Sequence, residues 1–265
     1  MKQGYLPIMT LITFQKKSYF FIKITNFGSE FQIEAGKYRE NDMILIELST
    51  KLLKCTNKSS VLMPNIVLFM ILGYRKLKLL ICKPIWKWKT KIIFKGFGVK
   101  FSKYITLGVP YVYVKNGIFR LGKDFRMNNN YAANIIGRQQ KCIFMLNGGN
   151  LVIGDNVGIS STAIVCHDSI IIGNNVRIGG NTVIYDTDFH SLDYRERIAF
   201  PEQKIKVKTK AVRIGNNVFI GGHTTILKGS AIGDNSIIGA GSVVSGTIAA
   251  NEIWGGNPAR YIKSL

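Results

Sequence analysis

The chain of 265 residues is 46% apolar and 19% charged, which excludes wholesale disorder and a multi-span membrane protein. It carries 36 Lys and Arg against 15 Asp and Glu. The excess is local: between Glu47 and Asp124 there are sixteen Lys and Arg and no acidic residue, which marks one surface for anionic partners.

Residues 1–60 form an N-terminal segment with alternating stretches at 20–25 and 43–48 and no motif that assigns it a role. The apolar run 6–14 meets Lys16 and Lys17 without a small-residue cleavage site, so no secretory signal is expected. Residues 61–112 are read as a basic amphipathic helix and linker. The helix is expected over 64–82, with Ile66, Val67, Phe69, Met70, Leu77, Leu80 and Ile81 as its apolar bulk. Its longest apolar run, 66–74, falls well short of the roughly 20 residues that a membrane span requires. Lys83-Pro-Ile-Trp-Lys-Trp-Lys-Thr-Lys91 then interleaves lysines with Trp86 and Trp88. That pairing suits the anionic membrane–water interface; a helix that caps the edge of the next domain explains it equally. No nucleic-acid motif accompanies the lysines, so no nucleic-acid partner is expected. Cys55, Cys82, Cys142 and Cys166 include no CxxC pair and read as thiols of a reducing compartment, so a cytoplasmic location is expected.

The second half repeats itself. Ile153-Gly-Asp-Asn-Val, Ile172-Gly-Asn-Asn-Val, Ile214-Gly-Asn-Asn-Val and Ile232-Gly-Asp-Asn-Ser start at successive spacings of 19, 42 and 18. A finer period of six runs through Ile214, Ile220, Ile226, Ile232, Ile238 and Val244, and earlier through Ile153, Ile159 and Val165. Six fits neither a helix nor a simple alternating strand. It fits a prism in which each side presents one aliphatic residue inward and three sides make a coil of 18. Small residues four places on, such as Val157, Ala163, Val176, Thr182, Val218, Thr224, Ser230, Ser236 and Ser242, are expected at the corners. The spacing of 19 implies one coil with a bulge near 166–169. The spacing of 42 implies one coil interrupted by a long excursion between Ile184 and Ile214.

These repeats, the loop Tyr185-Asp-Thr-Asp-Phe-His-Ser-Leu-Asp193 and the closing Gly255-Gly-Asn-Pro-Ala-Arg-Tyr-Ile262 resemble the hexapeptide-repeat acyltransferases. The nearest branch is that of the galactoside and maltose O-acetyltransferases and the polysaccharide O-acetyltransferases. The resemblance implies a mainly β fold, a left-handed parallel β-helix over 113–250 with its loop at 185–210, closed by 251–265. It also implies acetyl-CoA as co-substrate, no metal, and a homotrimer with active sites between subunits. The expected activity is O-acetylation of a sugar hydroxyl in capsule or O-antigen biosynthesis. N-acetylation of an amino-sugar nucleotide is the alternative within enzymes, and a non-catalytic sugar-binding scaffold the alternative outside them.

Acetyl transfer to an alcohol needs a base near neutral pKa, and the family's base is a His in this loop, which matches His190. Asp186 or Asp188 is then expected to orient the imidazole. Phe219, Gly221, Gly222, Ala240 and Ser245 match the family's donor groove, with an N–H near Gly221 and Gly222 for the oxyanion. Arg260 and Lys263 are candidates for the coenzyme's phosphates. The family places an acceptor-binding Asn one coil before the His; here Ser160 or Ser161 stands in that region, with Tyr185 beside the loop. His167 reads as a surface corner, and His223 as either groove or packing. The three histidines are too far apart in sequence to show a metal-site spacing.

Overall fold

A computed structural model describes residues 8–14, 18–27, 30–39, 42–46, 59–130, 140–199 and 207–265. In the N-terminal unit, β1 (Ile8–Phe14), β2 (Ser18–Phe27), β3 (Glu30–Arg39) and β4 (Asp42–Ile46) form an antiparallel sheet in sequence order. The alternating stretch at 20–25 falls on β2; that at 43–48 meets β4 over 43–46, and 47 and 48 lie outside the described residues. α1 then runs from Ser59 to Gly96, well past the end expected at residue 82. Pro84 does not end it. Proline removes the donor to the Leu80 carbonyl and crowds it, but Leu80 faces solvent, so water can satisfy the freed carbonyl. The helix is anchored at its other end: Phe94 is fully buried, with its ring 5.4, 5.5 and 6.2 Å from those of Phe101, Tyr104 and Phe119.

The rest is a three-sided parallel β-helix. Its first coil is Tyr104–Leu107, Tyr111–Lys115 and Ile118–Leu121, each strand starting one of the three faces. The strands therefore begin upstream of residue 113. The repeat does not show there because Tyr104, Phe119, Phe125 and Phe144 fill the first coils in place of the aliphatic series. On the first face Met127, Ile159, Ile178, Ile220 and Ile238 stack in register. The second face stacks Phe144, Ile164, Ile184, Ile226 and Val244. The third stacks Leu121, Ile153, Ile172, Ile214, Ile232 and Ile248. All are buried, and each aliphatic contributes about 1.5–3 kcal/mol of transfer free energy.

The turn signature has three separable causes. Gly173 is required by the approach of the next coil, since a Cβ there would lie 2.6 Å from the Gly215 carbonyl oxygen. The side chain after each turn glycine accepts from the preceding coil: Asn216 Oδ1, following Gly215, accepts from Asn174 N–H at 2.9 Å. The last Asn takes the left-handed backbone. Asn156, Asn175, Asn217, Asn235 and Asn251 all have φ between 54° and 62°, and their amides form one continuous ladder at 2.9, 3.0, 2.9 and 2.8 Å. At the other corners the small residues are buried. Thr182, Thr224, Ser230 and Ser242 donate to the carbonyl three residues back at 2.6–2.9 Å.

One coil corrects the expected register. From Ile159 the inward series goes to Ile164, Ile172 and Ile178, spacings of five, eight and six. Thr162, not Ala163, is the buried corner, and Ile164 and Cys166 point inward in place of Val165. Ser161, at φ 47°, turns the corner one residue early, and the segment before Ile172 carries two extra residues. The net gain is one, so the spacing of 19 concealed two opposite changes. The inward positions Met127 and Phe144 are separated by far more than the usual step of six, and residues 131–139 between them lie outside the described residues.

Candidate active site

The long excursion leaves the corner between the second and third faces as a paired arm. Lys210 N–H donates to the Asp186 carbonyl at 2.9 Å, Thr187 bridges Thr209, and Asp188 N–H donates to the Lys208 carbonyl at 3.1 Å. His190 follows this pairing and is exposed; its N–H donates to the Asp188 carbonyl at 2.7 Å, across Phe189 at φ 63°. The Phe189 ring stands 5.2 Å from Tyr185 and 6.4 Å from His167, so it pins the loop's tip to the corner. The short helix α2 (Tyr194–Arg197) follows, capped by Asp193, whose side chain accepts from Arg195 N–H.

The two carboxylates do different work. Asp186 is fully buried and accepts both bulge amides, from His167 at 2.7 Å and Asp168 at 2.8 Å. Its carboxylate is committed to holding the two extra residues of the preceding coil. Asp188 Oδ2 lies 3.3 Å from Lys228 Nζ, an ion pair in which both side chains are largely covered. Lys228 had no motif to announce it; it sits where the next coil's corner passes beneath the loop. Cys166 at the bulge and Cys142 at the first-to-second corner are both buried thiols. Burial first, then the Asp186 charge, pushes Cys166 far up, and burial pushes Cys142 up to about 12.

The donor candidates lie at a different corner, between the first and second faces. Ser161, Asn181 and His223 stack there, all with positive φ. Asn181 Nδ2 lies 3.2 Å from His223 Nδ1. The amide nitrogen donates, so the imidazole proton sits on Nε2, which is buried and has no hydrogen-bond partner among the described residues. Gly221 is explained by coil packing, since a Cβ there would lie 2.5 Å from Ala240 N. The N–H groups of Gly221, His223 and Gly241 are all used between coils. Those of Gly222 and Ala240 give no hydrogen bond among the described residues. Two stacked N–H donors therefore remain for a ligand, a fit to the thioester carbonyl and the amide arm of acetyl-CoA.

Phe219 is half-exposed on the first face and shares a groove of about 400 Å³ with Ser160, Arg126 and Arg177. Ser245 is exposed at the second-to-third corner, two coils beyond the loop, and Arg260 and Lys263 lie exposed on the closing strand Arg260–Ser264. The expected site residues thus form three groups. Tyr185, Asp186, Asp188 and His190 are one; Ser160, Ser161, Phe219, Gly221, Gly222 and Ala240 are another; Ser245, Arg260 and Lys263 are near the C-terminal end. A strand of the second face separates the first two groups, and the six steps from Gly222 to Lys228 span about 20 Å at most.

Residues 211–246 match the family described as bacterial transferase hexapeptide (six repeats). The chain is 38% identical over 119 residues to a Saccharomyces cerevisiae protein named as an acetyltransferase, covering 44% of this chain and 58% of that one. It is 29% identical over 155 residues to WbbJ of Escherichia coli, named as a lipopolysaccharide biosynthesis O-acetyl transferase, covering 57% of this chain and 74% of WbbJ. Among solved structures it is similar to AntD, an N-acyltransferase from Bacillus cereus in complex with dTDP and 3-hydroxybutyryl-CoA. The TM-score is 0.53 at 20% identity, covering 66% of this chain and 87% of AntD. The shared fold is the left-handed parallel β-helix.

Proposed function

For a chain that carries the bacterial transferase hexapeptide repeat on stacked β-helix coils, we propose acetyl-CoA-dependent O-acetylation of a sugar hydroxyl. The setting is cytoplasmic synthesis of a surface polysaccharide such as capsule or O-antigen. The observation that carries it is the pair of unused N–H groups at Gly222 and Ala240, together with an exposed imidazole on a braced excursion. His190 takes the proton from the acceptor hydroxyl as its oxygen attacks the thioester carbonyl. Gly222 N–H holds the oxyanion; as the tetrahedral intermediate collapses the carbon–sulfur bond breaks, and the thiolate takes the proton from the imidazolium. Asp188, held by Lys228, sets the loop's charge and position; Asp186 holds the coil beneath it. WbbJ, matched over most of its length, supports the oxygen acceptor.

His190 and Gly222 stand at opposite edges of the second face, so one chain does not bring them together. A homotrimer does, if the loop of one subunit meets the first-to-second corner of the next. The test is release of free thiol from acetyl-CoA against a panel of sugar hydroxyl acceptors and amino-sugar nucleotides. Turnover with hydroxyl acceptors supports the reading. Turnover confined to amines moves it to N-acetylation, and acceptor binding without thiol release moves it to a scaffold.

A further inference from the structure

α1 carries two apolar stripes, and only one has a partner. Leu79, Cys82, Trp86, Thr90 and Phe94, spaced three and four residues apart, are half-buried or buried, and the Lys87 carbonyl accepts from the Tyr104 hydroxyl at 2.9 Å. At its Phe94 end this stripe packs on the first coil. On the other side Tyr74, Ile81, Ile85, Trp88 and Ile92 stand at spacings of seven, four, three and four, and are 39–63% exposed. Helical spacing places all five within roughly 60° of arc. Lys78 and Lys89 flank the stripe on one side and Lys91 and Lys95 on the other, and the Lys78 ammonium lies 5.9 Å over the Tyr74 ring. The whole helix holds eight Lys and Arg and no Asp or Glu.

We propose that this outer stripe of α1 docks on an anionic lipid bilayer, with the helix lying in the plane of the interface. Ile81, Ile85 and Ile92 enter the acyl boundary, Trp88 and Tyr74 sit at headgroup level, and the flanking lysines extend to the lipid phosphates. The charge decides among occupants. The four-three-four spacing also suits a coiled coil of α1 helices, but Lys89 and Lys91 would flank that seam on every copy with no acidic partner, and like charges there repel. Nucleic acid would satisfy the lysines and leave the isoleucines in water. An anionic membrane satisfies both. No helix among the described residues is long and apolar enough to cross a membrane, which agrees with a helix that lies on one.

The test uses the full chain and vesicles of phosphatidylglycerol with phosphatidylcholine, compared with phosphatidylcholine alone. Flotation with the anionic vesicles at low salt and release at high salt are expected. Changing Lys78, Lys89 and Lys91 together to Gln should weaken binding about ten- to hundredfold. Ile85→Ser with Trp88→Ser should weaken it with the charge unchanged. Phosphatidylglycerol brominated on its acyl chains should quench tryptophan fluorescence in the native chain and much less in Trp88→Phe, a change mild enough to keep the fold. Absence of flotation, equal binding to neutral vesicles, or equal quenching in Trp88→Phe overturns the proposal. So does a drop in oligomeric state in the serine variant, which would give the stripe to a second copy, or displacement from vesicles by duplex DNA.

Discussion

His190→Ala should reduce thiol release about 10²–10⁴-fold while assembly and coenzyme binding persist. Retention of near-full activity would remove His190 as the base and turn to His223, which could serve only after Asn181 turned its amide oxygen toward Nδ1 and freed Nε2 of its proton. Asp186→Asn should behave differently. It keeps the shape but replaces one of the two acceptors of the bulge amides with a donor, so a loss of about 1–3 kcal/mol in stability is expected. A thermal melt checks this; an unchanged melting point with lost turnover would return Asp186 to the chemistry. The thiols give a third expectation. At pH 8 iodoacetamide should modify half-exposed Cys82 in the native protein and spare Cys142 and Cys166, whose thiolates are suppressed by burial. Peptide mass spectrometry of the alkylated native protein measures it.

A single coil is stable only through its neighbours, and its weakest points are predictable. Ile220, Ile226 and Ile238 are fully buried, so each Ile→Asp places an unpaired carboxylate in the prism at a cost of several kcal/mol. Insoluble protein is expected; soluble, folded assemblies from all three would mean the register is wrong. The amide ladder fails more gently. Asn217→Ala removes two ladder hydrogen bonds and puts alanine at φ 57°, about 2–4 kcal/mol together. Asn217→Gly loses the same bonds without the backbone strain, so its melting temperature should fall between alanine and the native chain.

At the scale of the assembly, the separation of loop and donor corner makes complementation the discriminating measurement. A chain with His190→Ala and a chain with Gly222→Pro should each be inactive, the second because proline has no N–H. Mixed in equal amounts, they should regain about a quarter of native sites if each site takes His190 from one subunit and Gly222 from the next. A site built within one chain would regain nothing.

The sequence by itself determined the β-helix. The six-residue aliphatic period and the Gly-Asp-Asn and Gly-Asn-Asn turns are local, because each inward position, corner and left-handed turn is specified by the residue that occupies it. It also located the excursion, since a break in a strict period is visible without coordinates. Three matters were decided only by the tertiary structure. The coil of 19 reads as one bulge in sequence, but the early turn at Ser161 and the two extra residues after Cys166 cancel in the count, and only strand pairing separates them. Asp186 and Asp188 look equivalent in sequence; the bulge amides of one coil and Lys228 of another divide their roles. Residues 83–91 read as an interfacial segment after a helix. They are the helix itself, because Phe94 anchors its far end in the first coil through Phe101, Tyr104 and Phe119, partners that only the folded chain brings to it.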